Sequence, residues 1–203
     1  MRIGVDFDNT LVQYDQVFSR LAAEAGLAPT GAALAQKAVR DLARGGPGGD
    51  LAWQALQGQA YGPRLGEAEP APGALAFLRR CAERGIPVRI VSHKTEFAAV
   101  DPSRTPLREA ALAWLRAHGA FAPGTGLEPG DVRFAATRAE KVAMIREEGL
   151  THFVDDLAET FLEPGFPPGT QAVLYAPAGD PAPPPGARLV RSWQELDGVL
   201  FHG

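Results

Sequence analysis

Outside residues 13–72, short apolar runs alternate with amphipathic stretches of helical spacing, and this alternation restricts the chain to few folds. Ile3, Val5 and Phe7 alternate as a strand over 2–7 requires. Further strands are expected at 87–91, 132–135, 151–154, 171–175 and 188–190. Amphipathic helices are expected at 74–83, 107–118 and 140–148, stopped at Gly85, Gly119 and Gly149, with a closing helix over 193–200. Strands joined through helices run parallel. The expectation is therefore an α/β fold: a mainly parallel sheet with helices on both faces.

Residues 13–72 break the pattern. They are rich in Ala and Gly, with helical spacing in Val17 and Leu21 and again in Leu34, Ala38 and Leu42. Gly45 to Gly49 interrupt them, and 51–56 reads as another helical turn or two. A chain of 203 residues suffices for one core and a small insertion. The division expected is a core of 1–12 and 73–203, with a small helical insertion at 13–72.

Composition narrows the function classes. Hydrophobic residues make up 45% and charged residues 22%, an ordinary globular balance. No apolar run approaches the roughly 20 residues needed to cross a bilayer, so no membrane association is expected. The opening MRIGVDFDNT meets acids almost at once and lacks the apolar centre of a secretory signal, which implies a cytoplasmic location. The single Cys81 excludes an internal disulfide and a cysteine-built zinc site. A net charge of −4 gives no sign of a nucleic-acid binder, and a phosphorylated ligand would need local positive charge or a metal.

The polar residues at the strand ends are particular ones. The first strand runs into Asp6 and Asp8, the second into Ser92, and that of 151–154 into Asp155 and Asp156. In a parallel sheet these ends share one edge, where open α/β folds bind ligands near the switch in strand order. A single Asp after a strand is ordinarily a turn former or helix cap, and Asp155-Asp156 has that reading too. For the set it fails, because DFDNT puts two carboxylates two residues apart, on one face of an extended chain. Four convergent anions call for a cation among them, and oxygen-only ligands favour hard Mg²⁺ over zinc.

With these residues in place the chain resembles the haloacid dehalogenase-like (HAD) hydrolase superfamily, phosphatase branch, over nearly everything except 13–72. Val5-Asp6-Phe7-Asp8-Asn9-Thr10-Leu11 matches its apolar strand followed by DxDxT, and Val88 to Ser92 its strand ending in Ser or Thr. Lys141 matches the lysine at a helix start, and Phe153-Val154-Asp155-Asp156 the strand ending in paired acids. The resemblance implies a Rossmann-like core in which the insertion acts as a cap. It implies that Asp6 attacks phosphorus to give an aspartyl-phosphate, while Asp8 protonates the leaving oxygen and then activates water. Ser92 and Lys141 would bind phosphoryl oxygens, with backbone N–H groups around Asn9 and Thr10. Mg²⁺ would be held by Asp6, the Asp8 carbonyl and Asp156, with Asp155 beside it. Asn9 stands where many relatives have glycine. The dehalogenase branch normally lacks an equivalent of Asp8, which argues against halide removal.

The expected function is hydrolysis of a small phosphorylated metabolite. Phosphotransfer to an acceptor other than water, and a non-catalytic phospho-ligand or interaction module on a HAD core, are the alternatives. His93 and Lys94, following Ser92, are candidates to face the leaving group. Within the insertion Lys37 and Tyr61 are the substrate-binding candidates, the latter in the glycine-containing stretch 56–62.

Overall fold

The computed structural model describes residues 1–179 and 182–201; His202, expected in the chain's tail, lies outside them. The main sheet has six strands: β1 (Ile3–Val5), β2 (Val88–His93), β3 (Val132–Ala135), β4 (His152–Asp155), β5 (Gln171–Tyr175) and β6 (Arg188–Val190). Every pairing is parallel, and the spatial order is β3-β2-β1-β4-β5-β6. The expected α/β sheet is thus present. The chain builds outward from β1 through β2 to β3, then returns to β1's other side with β4, so the switch in strand order lies at β1.

The first helices are α1 (Asp15–Glu24), α2 (Gln36–Gly45), α3 (Gly49–Tyr61) and α4 (Ala74–Glu83). They are followed by α5 (Leu107–Ala117), α6 (Arg138–Glu147), α7 (Ala158–Leu162) and α8 (Trp193–Phe201). The Gly-rich break separates α2 from α3 as its composition requires, but α3 runs 13 residues rather than a turn or two. In α2 the buried positions are Val39 and Ala43, while Leu42 is exposed. The inward face is therefore displaced from the 34, 38, 42 spacing.

Two compact units emerge. One comprises Met1–Val12, Pro70–Lys94 and the chain from Leu115 onward; the other comprises Gln13–Glu69 and Thr95–Trp114. In the first, Val91, Ile145, Leu150 and Phe153 form a core with Met144, Phe161 and Phe166 against it. Trp193, Phe77 and Tyr175 pack at its α4 and α8 side. Cys81 is buried there, and burial pushes its thiol up to about 12, so it is an inert packing residue. In the second unit, Phe18 stacks on Trp53 with centroids 5.0 Å apart, and Tyr61 meets Tyr14 edge-on at 4.9 Å. Segment 95–105 packs onto α3: a Cβ at Gly58 would fall 2.2 Å from the Val100 carbonyl oxygen.

Central strand β1 is closely packed. A Cβ on Gly4 would lie 2.3 Å from Leu150 Cδ1 and 2.5 Å from Phe153 Cδ2, both held in the core cluster. Gly4→Ala is therefore expected to lower unfolding stability by about 1–3 kcal/mol through overpacking. In urea denaturation this is a lower midpoint with an unchanged slope. A midpoint equal to that of the parent would mean that the pocket over Gly4 yields freely.

Candidate active site

The site assembles on the carboxyl edge of the sheet, where β1 stands between β2 and β4. Val5 is level with Ile90 on one side and Val154 on the other. Asp6 and Asp155 therefore come one residue past that level and Ser92 two. The Asp6 N–H donates to the Val154 carbonyl at 2.9 Å, which prolongs the β1–β4 pairing through the first acid. The chain then turns tightly, with the N–H groups of Leu11 and Val12 both donating to the Phe7 carbonyl, at 3.0 and 3.1 Å. That turn needs a left-handed residue at position 9. Asn9, at φ 57°, is the non-glycine type that adopts this conformation most readily, which explains how Asn replaces the commoner glycine.

Lys141 arrives from the opposite side on α6. Thr137 caps that helix by accepting from the Glu140 N–H at 3.1 Å, and the Glu140 carboxylate accepts from the Ala136 N–H at 2.8 Å. This cap fixes the first turn, so Lys141 enters the interior with Val142 and Ile145. Its Nζ lies 2.6 Å from Asp6 Oδ1 and 2.6 Å from Asp155 Oδ2. The other Asp155 oxygen accepts from the Leu157 N–H at 2.9 Å. Asp155 is therefore both an ion-pair partner and the turn former before α7; the turn-former reading holds for one of its two oxygens, whereas α7 has no side-chain cap.

Carboxylate oxygens of Asp6, Asp155 and Asp156 lie within 4.8 Å of one another. Burial raises the Asp6 carboxyl to about 7 against the pull of Lys141, and the charges of Asp155 and Asp8 add to the rise. Burial, then the charge of Asp155, holds Asp156 well above the usual carboxylate range. Asp156 takes part in no ion pair among the described residues. Burial opposes the charge on Lys141, but the Asp155 and Asp6 carboxylates outweigh it and raise its pKa. Asp8 pairs with Lys94, whose Nζ is 2.8 Å from Oδ2 and 3.1 Å from Oδ1. Four carboxyl groups thus face two ammonium groups, and full ionisation would leave two negative charges in excess. That deficit of positive charge, the all-oxygen donor set and an unpaired half-buried Asp156 together fit one divalent hard cation.

Two hydroxyls at the same edge are unsatisfied. Ser92 Oγ and Thr10 Oγ1 are buried and have no hydrogen-bond partner, an arrangement that costs about 1–3 kcal/mol per group unless a ligand completes it. His93 is exposed and its Nε2 donates to the Ala136 carbonyl at 3.0 Å. Lys37 is exposed in the second unit, and the Tyr61 hydroxyl there accepts from Gln36 Nε2 at 2.9 Å. The α6 cap has a local signature, Thr137-x-x-Glu140, whereas the pairing of Lys94 with Asp8 has no sequence signal.

No family model matches the chain, and no curated protein matches it in sequence. Solved structures match it in fold. A HAD family hydrolase from Deinococcus radiodurans R1 with bound phosphate and sodium is 16% identical, with a TM-score of 0.60 over 99% of this chain and 95% of that one. The HAD-hydrolase YfnB from Bacillus subtilis, bound to magnesium, is 14% identical, with a TM-score of 0.64 over 98% of each chain. A dehalogenase is 18% identical, with a TM-score of 0.58 over 98% of this chain and 96% of that one. The chain has the fold of the HAD superfamily hydrolases.

Proposed function

We propose that this chain is a Mg²⁺-dependent phosphatase acting on a small phosphorylated metabolite. The observation that carries this reading is the cluster of Lys141 with an acidic trio, on strand ends that also carry two buried hydroxyls without partners, Ser92 and Thr10. A phosphoryl group supplies the acceptors that both hydroxyls lack. Lys141 uses two of its N–H groups on Asp6 and Asp155 and has a third for a phosphoryl oxygen. Asp6 and Asp156, with the Asp8 carbonyl, would hold Mg²⁺, while Asp155, already engaged through both oxygens, orients Lys141. Bound Mg²⁺ would offset the surplus negative charge and polarise the phosphoryl group.

The chain's own groups then divide the work. An Asp6 oxygen attacks phosphorus as the bond to the leaving oxygen breaks, and Asp8 gives that oxygen its proton. Asp8, now ionised, takes a proton from water as the water attacks the aspartyl-phosphate, which frees phosphate and restores Asp6. Halide removal would give a proton donor at Asp8 no task, since a halide leaves without one. Substrate selection is assigned to the helical insertion and residues 95–114, and the enzyme to the cytoplasm. Among the described residues no helix is long and apolar enough to cross a membrane.

The test is phosphate release from a panel of phosphorylated metabolites and aryl phosphates, with halide release from short haloacids in parallel. Chelator-treated protein should be inactive and Mg²⁺ should restore it. Ca²⁺ should not, because its larger, looser coordination shell misplaces Asp6. Full phosphate release from exhaustively chelated protein, or halide release in place of phosphate, would overturn the reading.

A further inference from the structure

Lys94 follows the second motif by two residues, and its placement is unlike that of a residue reaching toward a leaving group. Its main-chain N–H donates to the Ala135 carbonyl at 2.9 Å, next to the β2–β3 pairing. Its side chain is 2% exposed. The ammonium contacts both oxygens of Asp8, at 2.8 and 3.1 Å, and stands 5.3 Å from the Phe7 ring centroid. Asp8, by contrast, retains 20% side-chain exposure, so the pair has an inner end and an outer end. A buried ammonium requires such a partner. The partner chosen here is the one carboxylate whose proposed task is to hand a proton to a leaving atom.

We propose that Lys94 is a positioning residue for Asp8. An ammonium touching both oxygens fixes the plane of the carboxyl group as well as its distance from the chain. Asp8 then presents a constant edge outward, where the leaving oxygen must be met. A displacement of about 1 Å in such a group can cost on the order of 10²-fold in rate. Lys94 is the buried member of the pair and Asp8 the more exposed one, so the role assigned to Lys94 is exerted through Asp8. This assignment rests on the phosphatase reading.

The discriminating measurement is kcat/KM for a series of phosphate monoesters, from dinitrophenyl phosphate to simple alkyl phosphates, on the Mg²⁺-loaded enzyme. The leaving group departs before the aspartyl-phosphate is hydrolysed, so kcat/KM reports the step in which Asp8 donates its proton. Dinitrophenolate leaves readily unprotonated, whereas an alkoxide does not. Lys94→Met should lose at least about tenfold more on the alkyl ester than on the dinitrophenyl ester, since proton donation is worth roughly 10²–10⁴-fold. Asp8→Asn should show the same trend with a steeper slope, and Lys94→Met should cause little further loss in the Asp8→Asn background. Lys94→Gln, which keeps a donor, provides the second variant should Lys94→Met fail to fold by near-UV circular dichroism. Equal losses across the series, or losses that multiply with those of Asp8→Asn, would make Lys94 a structural residue and overturn the inference. A parent enzyme inert on every ester would instead remove the phosphatase reading beneath it.

Discussion

Asp6→Asn protein should release no phosphate from any ester, yet the metal-free form should unfold at higher urea than the parent at pH 8. The first half follows from chemistry: an amide at the end of β1 cannot form the acyl-phosphate. The second follows from burial. The Asp6 carboxyl titrates near 7 in the folded chain, against an ordinary 3.8, because loss of solvent outweighs the attraction of Lys141. A folded-state value above the unfolded one means that the native form is favoured while the group stays protonated. That advantage fades as pH climbs from about 4 to about 7, where the unfolded chain ionises freely and the folded one resists. Asparagine keeps an acceptor for Lys141 and removes the resisting charge. The gain should be on the order of 1–3 kcal/mol at pH 8 and vanish near pH 4. Near-normal turnover by the purified, Mg²⁺-loaded variant would remove Asp6 from the mechanism. A variant less stable than the parent at pH 8 would show instead that the Lys141 pairing dominates the burial cost.

Lys141→Met should have the opposite sign in stability and a comparable loss in activity. Lys141 is 2% exposed and is the buried cation shared by Asp6 and Asp155. Removing it strands two buried carboxylates, a change that typically costs about 3–5 kcal/mol. It also deletes a donor aimed at the phosphoryl oxygens, so kcat/KM should fall by about 10²-fold or more in whatever protein remains folded. Coupling between the residues supplies the sharper check. Asp6→Asn removes one of the stranded charges, so in metal-free urea titrations at pH 8 it should stabilise the Lys141→Met background by more than it stabilises the parent. An equal gain in both backgrounds would show that Lys141 and Asp6 do not act as a buried pair.

Much of the core was written locally. Ile3, Val5 and Phe7 alternate, and all three are buried. Strand ends carrying Asp6, Ser92 and Asp155 converge because parallel β1, β2 and β4 are neighbours, an order that strand–helix alternation and right-handed crossovers favour. The tryptophans at 53, 114 and 193 are buried as their size leads one to expect. The expected α/β class and the meeting of Asp6, Asp155 and Asp156 needed only periodicity and topology, whereas Lys141 was expected there through the family resemblance.

Other features answered to contacts distant in sequence. Which stripe of α2 turns inward depends on the helices packed against it, so Val39 and Ala43 are buried where spacing alone pointed to Leu42. Residues 95–114 cluster with the helical insertion although the chain enters them directly from the site motif, because Gly58 admits the Val100 carbonyl against α3. Lys94 and Asp8 are 86 residues apart, and nothing near either residue announces the other. Local sequence sets backbone preference and the periodicity of buried faces. The choice of partner for a buried charge is a free-energy comparison over every group the fold brings within a few ångströms, and that comparison is made only once the sheet has closed around it.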